Sequence, residues 1–149
     1  MLATIHRQAP LAALLAIALN GGTAAEVRAQ MSTGAFQGAW IEQGEACESA
    51  FALKGGAIVF RRPASVFAPA FIVAGRRLST PLASCRIVSV SPRGERQILN
   101  LSCTTSISVG AAHAVVAPAE GGMLTRYFSA EGGGGTKYQR CGLDALKPP

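Results

Sequence analysis

From Ala35 to Cys141 apolar residues recur at every second position far more often than at every 3.6, and Val, Ile, Thr and Phe fall between short clusters of Gly, Pro and Ser. A period of two belongs to a strand with one buried face, so the segment reads as all-β. The plainest stretch is Cys47 to Arg61, where CESAFALK and AIVFR flank Gly55 and Gly56. A two-glycine loop closes a tight hairpin and sets Leu53 opposite Ile58 and Phe51 opposite Phe60. Carried back along the strand, the alternation puts Cys47 on the face of Phe51 and Leu53 and turns Glu48 and Lys54 to the other.

A second hairpin is predicted from Cys85 to Cys103, with its turn drawn from Ser91 to Arg96. The register that opposes the two cysteines also opposes Ile87 with Leu101 and Ser89 with Leu99. A slip of one residue would break up this largely apolar face. Between the hairpins, Arg61 to Pro69 is a loop interrupted by two prolines, and Ala70–Ala74 and Arg77–Thr80 form a third hairpin over Gly75. Thr104 to Val109 is read as prolonging the strand of Cys103. Three further strands are expected at His113–Ala117, Met123–Ser129 and Thr136–Cys141, with the glycines at 132 to 135 as a flexible hairpin loop and Leu143–Pro149 as a frayed tail. A phosphate cradle would need a lysine and a hydroxyl opening a helix, and Thr136, Lys137 and Tyr138 open a strand instead.

The N-terminus changes the setting. Arg7 precedes the apolar run Leu11–Leu19, and small residues end at Thr23, Ala24 and Ala25. This is the layout of a secretory signal cleaved after Ala25, with a second acceptable site after Ala29. The run is too short for a membrane anchor, which needs roughly 20 apolar residues, and no cysteine follows a lipobox. Export to the periplasm or beyond is expected, with residues 26–149 as a single β domain whose core is 34–142. Such a destination favours disulfides, and the four cysteines are spaced 38, 18 and 38 residues apart. A Cys85–Cys103 bridge nested inside Cys47–Cys141 fits the hairpin register, while Cys47–Cys85 with Cys103–Cys141 stays open because sequence does not fix connectivity. By loop entropy the nested bridges are worth about 3 and about 4.7 kcal/mol. Zinc would ask for short Cys-x2-Cys spacings, and neither metal nor cofactor is expected.

Chemistry-bearing residues are few. Residues 1–25 hold one of the 14 cations and none of the 8 acids, so the remaining chain is still basic at +5. His113 is its only histidine and lies between alanines, a poor address for a general base. No nucleophile elbow or paired carboxylates accompany it, and a non-catalytic role is expected. The arginine doublets Arg61–Arg62 and Arg76–Arg77 are candidate anion-binding residues, since planar guanidinium suits bidentate anion recognition; edge charge that discourages strand aggregation is the stronger account of the same residues without a ligand. Aromatics make up only 6% of the chain and no recognition motif is present, which argues against nucleic acid. The sequon Asn100-Leu101-Ser102 falls mid-strand and is read as chance.

Gly38, Ala39 and Trp40, followed by Cys47 and an alternating strand, resemble the opening strand of lipocalins and of the periplasmic metalloprotease inhibitors. That resemblance implies a small antiparallel β-barrel with Trp40 plugging one end of the core. For the inhibitors it further implies that the segment ahead of Phe36, Glu26 to Thr33, inserts into a protease cleft. The longer pattern of RRP, the FIV and Gly-Arg-Arg-Leu hairpin, Cys85 with Ile87, Cys103 and the terminal Tyr138–Cys141 is similar to small exported alphaproteobacterial proteins, and implies no activity. The expectation is therefore a two-disulfide β-barrel or barrel-like sandwich, exported, that binds a protein target or, alternatively, an anionic envelope component such as a polysaccharide or lipid headgroup.

Overall fold

The computed structural model describes residues 33–147; the expected export signal and residues 26–32 lie outside them. Ten strands follow in order: β1 (Gly38–Glu42), β2 (Phe51–Lys54), β3 (Ala57–Phe60), β4 (Ala70–Ala74), β5 (Arg77–Ser79), β6 (Ser84–Arg93), β7 (Arg96–Thr104), β8 (Val109–Ala119), β9 (Met123–Tyr127) and β10 (Gly135–Cys141). A single helical turn, α1 (Cys47–Ala50), precedes β2. Eight strands close an antiparallel barrel in the order β1-β4-β5-β6-β7-β8-β9-β10, and β2 and β3 pair only with each other. The fold is thus an up-and-down barrel with one hairpin laid outside its wall.

Alternation sorts the side chains into two clusters. Trp40, Val73, Leu78, Cys85, Ile87, Leu99, Leu101, Val116, Leu124 and Tyr138 point inward and, with Phe36, fill the barrel core. Ala39, Ile41, Ala70 and Cys141 belong to the outer faces of β1, β4 and β10, and there they meet Cys47, Ala50 and Phe51. Strands β1 and β4 are therefore apolar on both faces, as a wall buried from both sides must be.

The hairpin registers follow the sequence pattern where it is regular. Phe51 faces Phe60 and Leu53 faces Ile58; Cys85 faces Cys103 and Ile87 faces Leu101. Both nested disulfides are present, Cys47–Cys141 with Cα atoms 5.7 Å apart and Cys85–Cys103 at 3.9 Å. The first ties α1 to the outer wall, and the second lies against the barrel core.

Five expectations are corrected. Ser89 faces Asn100, not Leu99, because the register shifts between Ile87 and Ser89; the extra residue, Val88, flips the pleat so that Val90 faces Leu99. Strand pairing there runs out to Arg93 and Arg96, so the turn is only Gly94–Glu95. Cys47 begins a helical turn rather than a strand. At about 1.5 Å per residue, against about 3.3 Å extended, that turn keeps Cys47, Ala50 and Phe51 over one outer patch. Thr104 to Val109 does not continue β7: the Thr105 hydroxyl accepts from Ile107 N at 3.3 Å and Ser108 N at 3.0 Å, and these local bonds turn the chain into β8. The C-terminal segment is also not a free tail up to Lys147, since Asp144–Leu146 forms a 3-10 turn and Leu146 packs on the outer cluster.

The chain enters at one end of the barrel. Thr33–Phe36 forms a 3-10 turn, Gln37 exchanges bonds with Gly75 in the β4–β5 turn (Gly75 N to Oε1 at 2.7 Å, Nε2 to Gly75 O at 3.0 Å), and Trp40 Nε1 donates to Phe36 O at 2.8 Å. Phe36 and Trp40 are almost fully buried and close this end. Arg140 lies over the Trp40 ring at 5.2 Å and donates to the Gln37 carbonyl. Gly38 makes that approach feasible: its φ is +119°, and a Cβ there would sit 3.0 Å from Arg140 Nε. Gly38→Ala should cost about 1–3 kcal/mol through backbone strain and the displaced arginine, read as a lower urea midpoint at unchanged slope. Removing Cys47–Cys141 by paired serine substitution should cost more than removing Cys85–Cys103, about 4.7 against about 3 kcal/mol by loop length; a reversed order would show that strain or residual structure governs these bridges.

Candidate functional site

Inward-facing residues leave an apolar lumen of about 330 Å³, floored by Phe36 and walled by Phe71, Val73, Leu78, Leu99, Leu101, Val116 and Leu124. An eight-stranded barrel is wide enough to be filled by side chains or to hold one small ligand. The small residues Ala112 and Ala114, opposite Leu101 and Leu99 on β7, leave room on the β8 side. The lumen opens at the end opposite Phe36 and Trp40, where Val66, Ala68, Pro69, Thr80, Pro81 and Leu82 rim it.

Connections at the open end carry exposed apolar side chains: Val66 and Phe67 before β4, Leu82 before β6, Ile107 between β7 and β8, and Phe128 after β9. Phe67 and Ile107 are 88% and 93% exposed. Val66 and Leu82 also line the cavity, so apolar surface at this end continues from the lumen into the connections. Arg126 is the only Lys, Arg, Asp or Glu among the lining residues. It shares the parity of buried Leu124 on β9 and lies opposite Val116 of β8, which places it on the inward side near the mouth. The strand beside it approaches closely: a Cβ on Gly135 would sit 2.7 Å from Arg126 O, so only glycine fits there.

The two arginine doublets do not share a groove. Arg61 and Arg62 line a trough between the outer hairpin and the β4–β5 wall with Lys54, Phe60 and Ile72, and Arg61 donates to Glu48 O at 2.7 Å. Arg76 is spent on the fold: its Nε and Nη2 bond Ile87 O at 3.1 and 2.8 Å, and Nη2 bonds Val88 O at 2.5 Å, satisfying carbonyls at the bulge. Only Arg77 is left for a ligand, and its partner across the strands is Arg86. Ser84, Ser102 and Thr104 border the same surface depression as this pair.

His113 is exposed on β8, opposite Asn100. Alternation with Ala112 and Ala114 sets its Cβ on the outer side of the strand, and the residue still borders the lumen between those two alanines. Asn100 Nδ2 donates to Ser89 Oγ at 2.9 Å, a cross-strand bond that occupies the sequon's amide. Among the described residues no three His, Cys, Asp or Glu side chains come together, and no helix is long and apolar enough to cross a membrane. The two disulfides point to a non-cytoplasmic location. Comparison with family models, curated proteins and solved structures gives no match to this chain.

Arg86 and Arg126 were both visible in the sequence but not distinguished from the other arginines. Parity was the available signal: Arg86 alternates with Cys85 and Ile87 and must face out, and Arg126 alternates with Leu124 at two residues and must face in. The split within the second doublet is testable. Arg76→Ala should lower stability by about 1–2 kcal/mol by freeing charge-assisted bonds to two carbonyls, and Arg77→Ala should lie within about 0.5 kcal/mol of the parent; equal losses in thermal melts would contradict the division of labour.

Proposed function

We propose that this chain is a non-catalytic exported binding protein that takes a small amphiphile into the barrel, apolar body in the lumen and anionic head against Arg126. The observation that carries the reading is a one-ended apolar cavity with a single formal charge at its mouth. Its volume, about 330 Å³, lies at the lower end of the range for small-ligand sites, which are mostly apolar with a few placed polar groups. Burial of the apolar body supplies affinity, roughly 25 cal/mol per Å². The Arg126 guanidinium, exposed at the mouth, selects the head group. The exposed tips Phe67, Leu82, Ile107 and Phe128 extend the apolar surface outward and help an apolar ligand leave a membrane or another carrier. The protease-inhibitor reading places its insert at Glu26 to Thr33, of which only Thr33 is among the described residues, its hydroxyl bonded to Gly75 O at 3.1 Å.

Decanoate and decanol serve as probes that differ in the head group alone. Calorimetric titration should show both binding with negative heat-capacity change. Arg126→Gln should weaken decanoate about tenfold and leave decanol unchanged, and Ala114→Phe, which fills the lumen, should abolish both. Absence of binding by either probe at millimolar concentration, or equal weakening of both by Arg126→Gln, would overturn the assignment.

A further inference from the structure

The charges of this chain are segregated along it. From Ser49 to Ala119 there are eight cations, Lys54, Arg61, Arg62, Arg76, Arg77, Arg86, Arg93 and Arg96, and one acid, Glu95. That stretch builds the outer hairpin and the wall from β4 to β8. The remaining acids of the described residues, Glu42, Glu45, Glu48, Glu120, Glu131 and Asp144, lie in β1 and the segments around it, in the β8–β9 and β9–β10 connections and in the C-terminal turn. The wall from β4 to β8 therefore carries five arginines, Arg76, Arg77, Arg86, Arg93 and Arg96, and a single carboxylate, Glu95. The only ion pair among the described residues is Lys147–Asp144, in the C-terminal turn and not within the β4–β8 wall.

Arg77 and Arg86 occupy directly opposed positions on β5 and β6, and like charges opposed across strands destabilise a sheet. A protein could discharge the repulsion with an acid on the next strand. Here the next residue across is Ser102, followed by Ala111 on β8. The row above runs Ser79, Ser84, Thr104 and Val109. The surface depression is lined by Arg76, Arg77, Arg86, Ser84, Ser102, Thr104 and Ala74: two free guanidinium forks over a floor of hydroxyls and small side chains, with no carboxylate. This is the composition that recognises an oxyanion, forks supplying charge and hydroxyls supplying further donors.

We propose that the outer face of β5, β6 and β7 binds the sulfate or phosphate groups of a linear anionic polysaccharide, with Arg77 and Arg86 as the primary contacts. The site is separate from the lumen and independent of the amphiphile reading. A polysaccharide fits better than a lipid surface because the depression is shallow and hydroxyl-lined, whereas the exposed apolar tips that could enter a bilayer lie at the barrel mouth. Relative to the sequence expectation, Arg61 and Arg62 leave the site, Arg76 serves the backbone, and Arg86 joins.

Heparin, a sulfated polysaccharide, is the probe. The parent should be retained on immobilised heparin and elute with salt, and inorganic phosphate or sulfate should compete. Arg77→Ala with Arg86→Ala should cut the affinity at least tenfold with an unchanged or raised melting temperature, since opposed charges are removed. The lysine pair, Arg77→Lys with Arg86→Lys, keeps the charge and should recover only part of the affinity. Arg61→Ala with Arg62→Ala removes the same charge elsewhere and should shift elution far less. Equal losses from the two alanine pairs would reduce the effect to net charge and overturn the site. So would retention unaffected by the Arg77/Arg86 pair, or binding to phosphatidylglycerol vesicles that depends on this pair without any heparin retention.

Discussion

Closure of the ring by β1 is the constraint on which everything else rests. Gly38–Glu42 is hydrogen-bonded to β10 on one edge and to β4 on the other, and it is apolar on both faces, Trp40 in and Ala39 with Ile41 out. Without that strand the lumen would lose its wall, the outer hairpin its support and Arg140 its partner. Five residues can do this because each side chain is used twice over: once to fill a cluster, and once to hold the register of two neighbours. Cys47–Cys141 reinforces the same seam by fastening the chain just after β1 to the end of β10.

How much of this was legible follows from where local pattern and global demand agree. The hairpins at Gly55–Gly56 and Cys85–Cys103 were legible because turn chemistry, alternation and cysteine spacing all gave one register. The bulge at Val88 was not, since a bulge leaves no mark in a run of alternating Val and Ser; it is visible only when Arg76 arrives to bond the carbonyls it releases. The helical turn at Cys47 was hidden for a similar reason. Four residues carry too little periodicity to register, and what decides their conformation is the distance from the end of β1 to a sulfur on β10. Closure itself could not be read from short-range pattern, because the pairing of Ala39 with Cys141 joins opposite ends of the domain.

The candidate sites divide along the same line. Parity alone assigned inward and outward faces, and hence which arginine could enter the lumen and which could meet an anion from solvent. The grouping of doublets by sequence adjacency misled, because neighbours in a strand point to opposite sides. Arg76 and Arg77 illustrate it: one is absorbed by a backbone defect and the other stands opposite a second cation. The two sites we propose divide the same way, an apolar interior for an amphiphile and a charged exterior for an oxyanion.

The strands that close the ring are also the first and last of the described strands to leave a ribosome. A chain delivered from its N-terminus has β1 available early, yet neither edge of the ladder it forms with β10 can exist until almost the whole polypeptide has appeared. Topology therefore works as a timer: the hairpins can form and dissolve during synthesis, but the barrel locks only when synthesis is nearly finished. Slow, late locking of this kind lengthens the interval in which unpaired strands are open to misassociation.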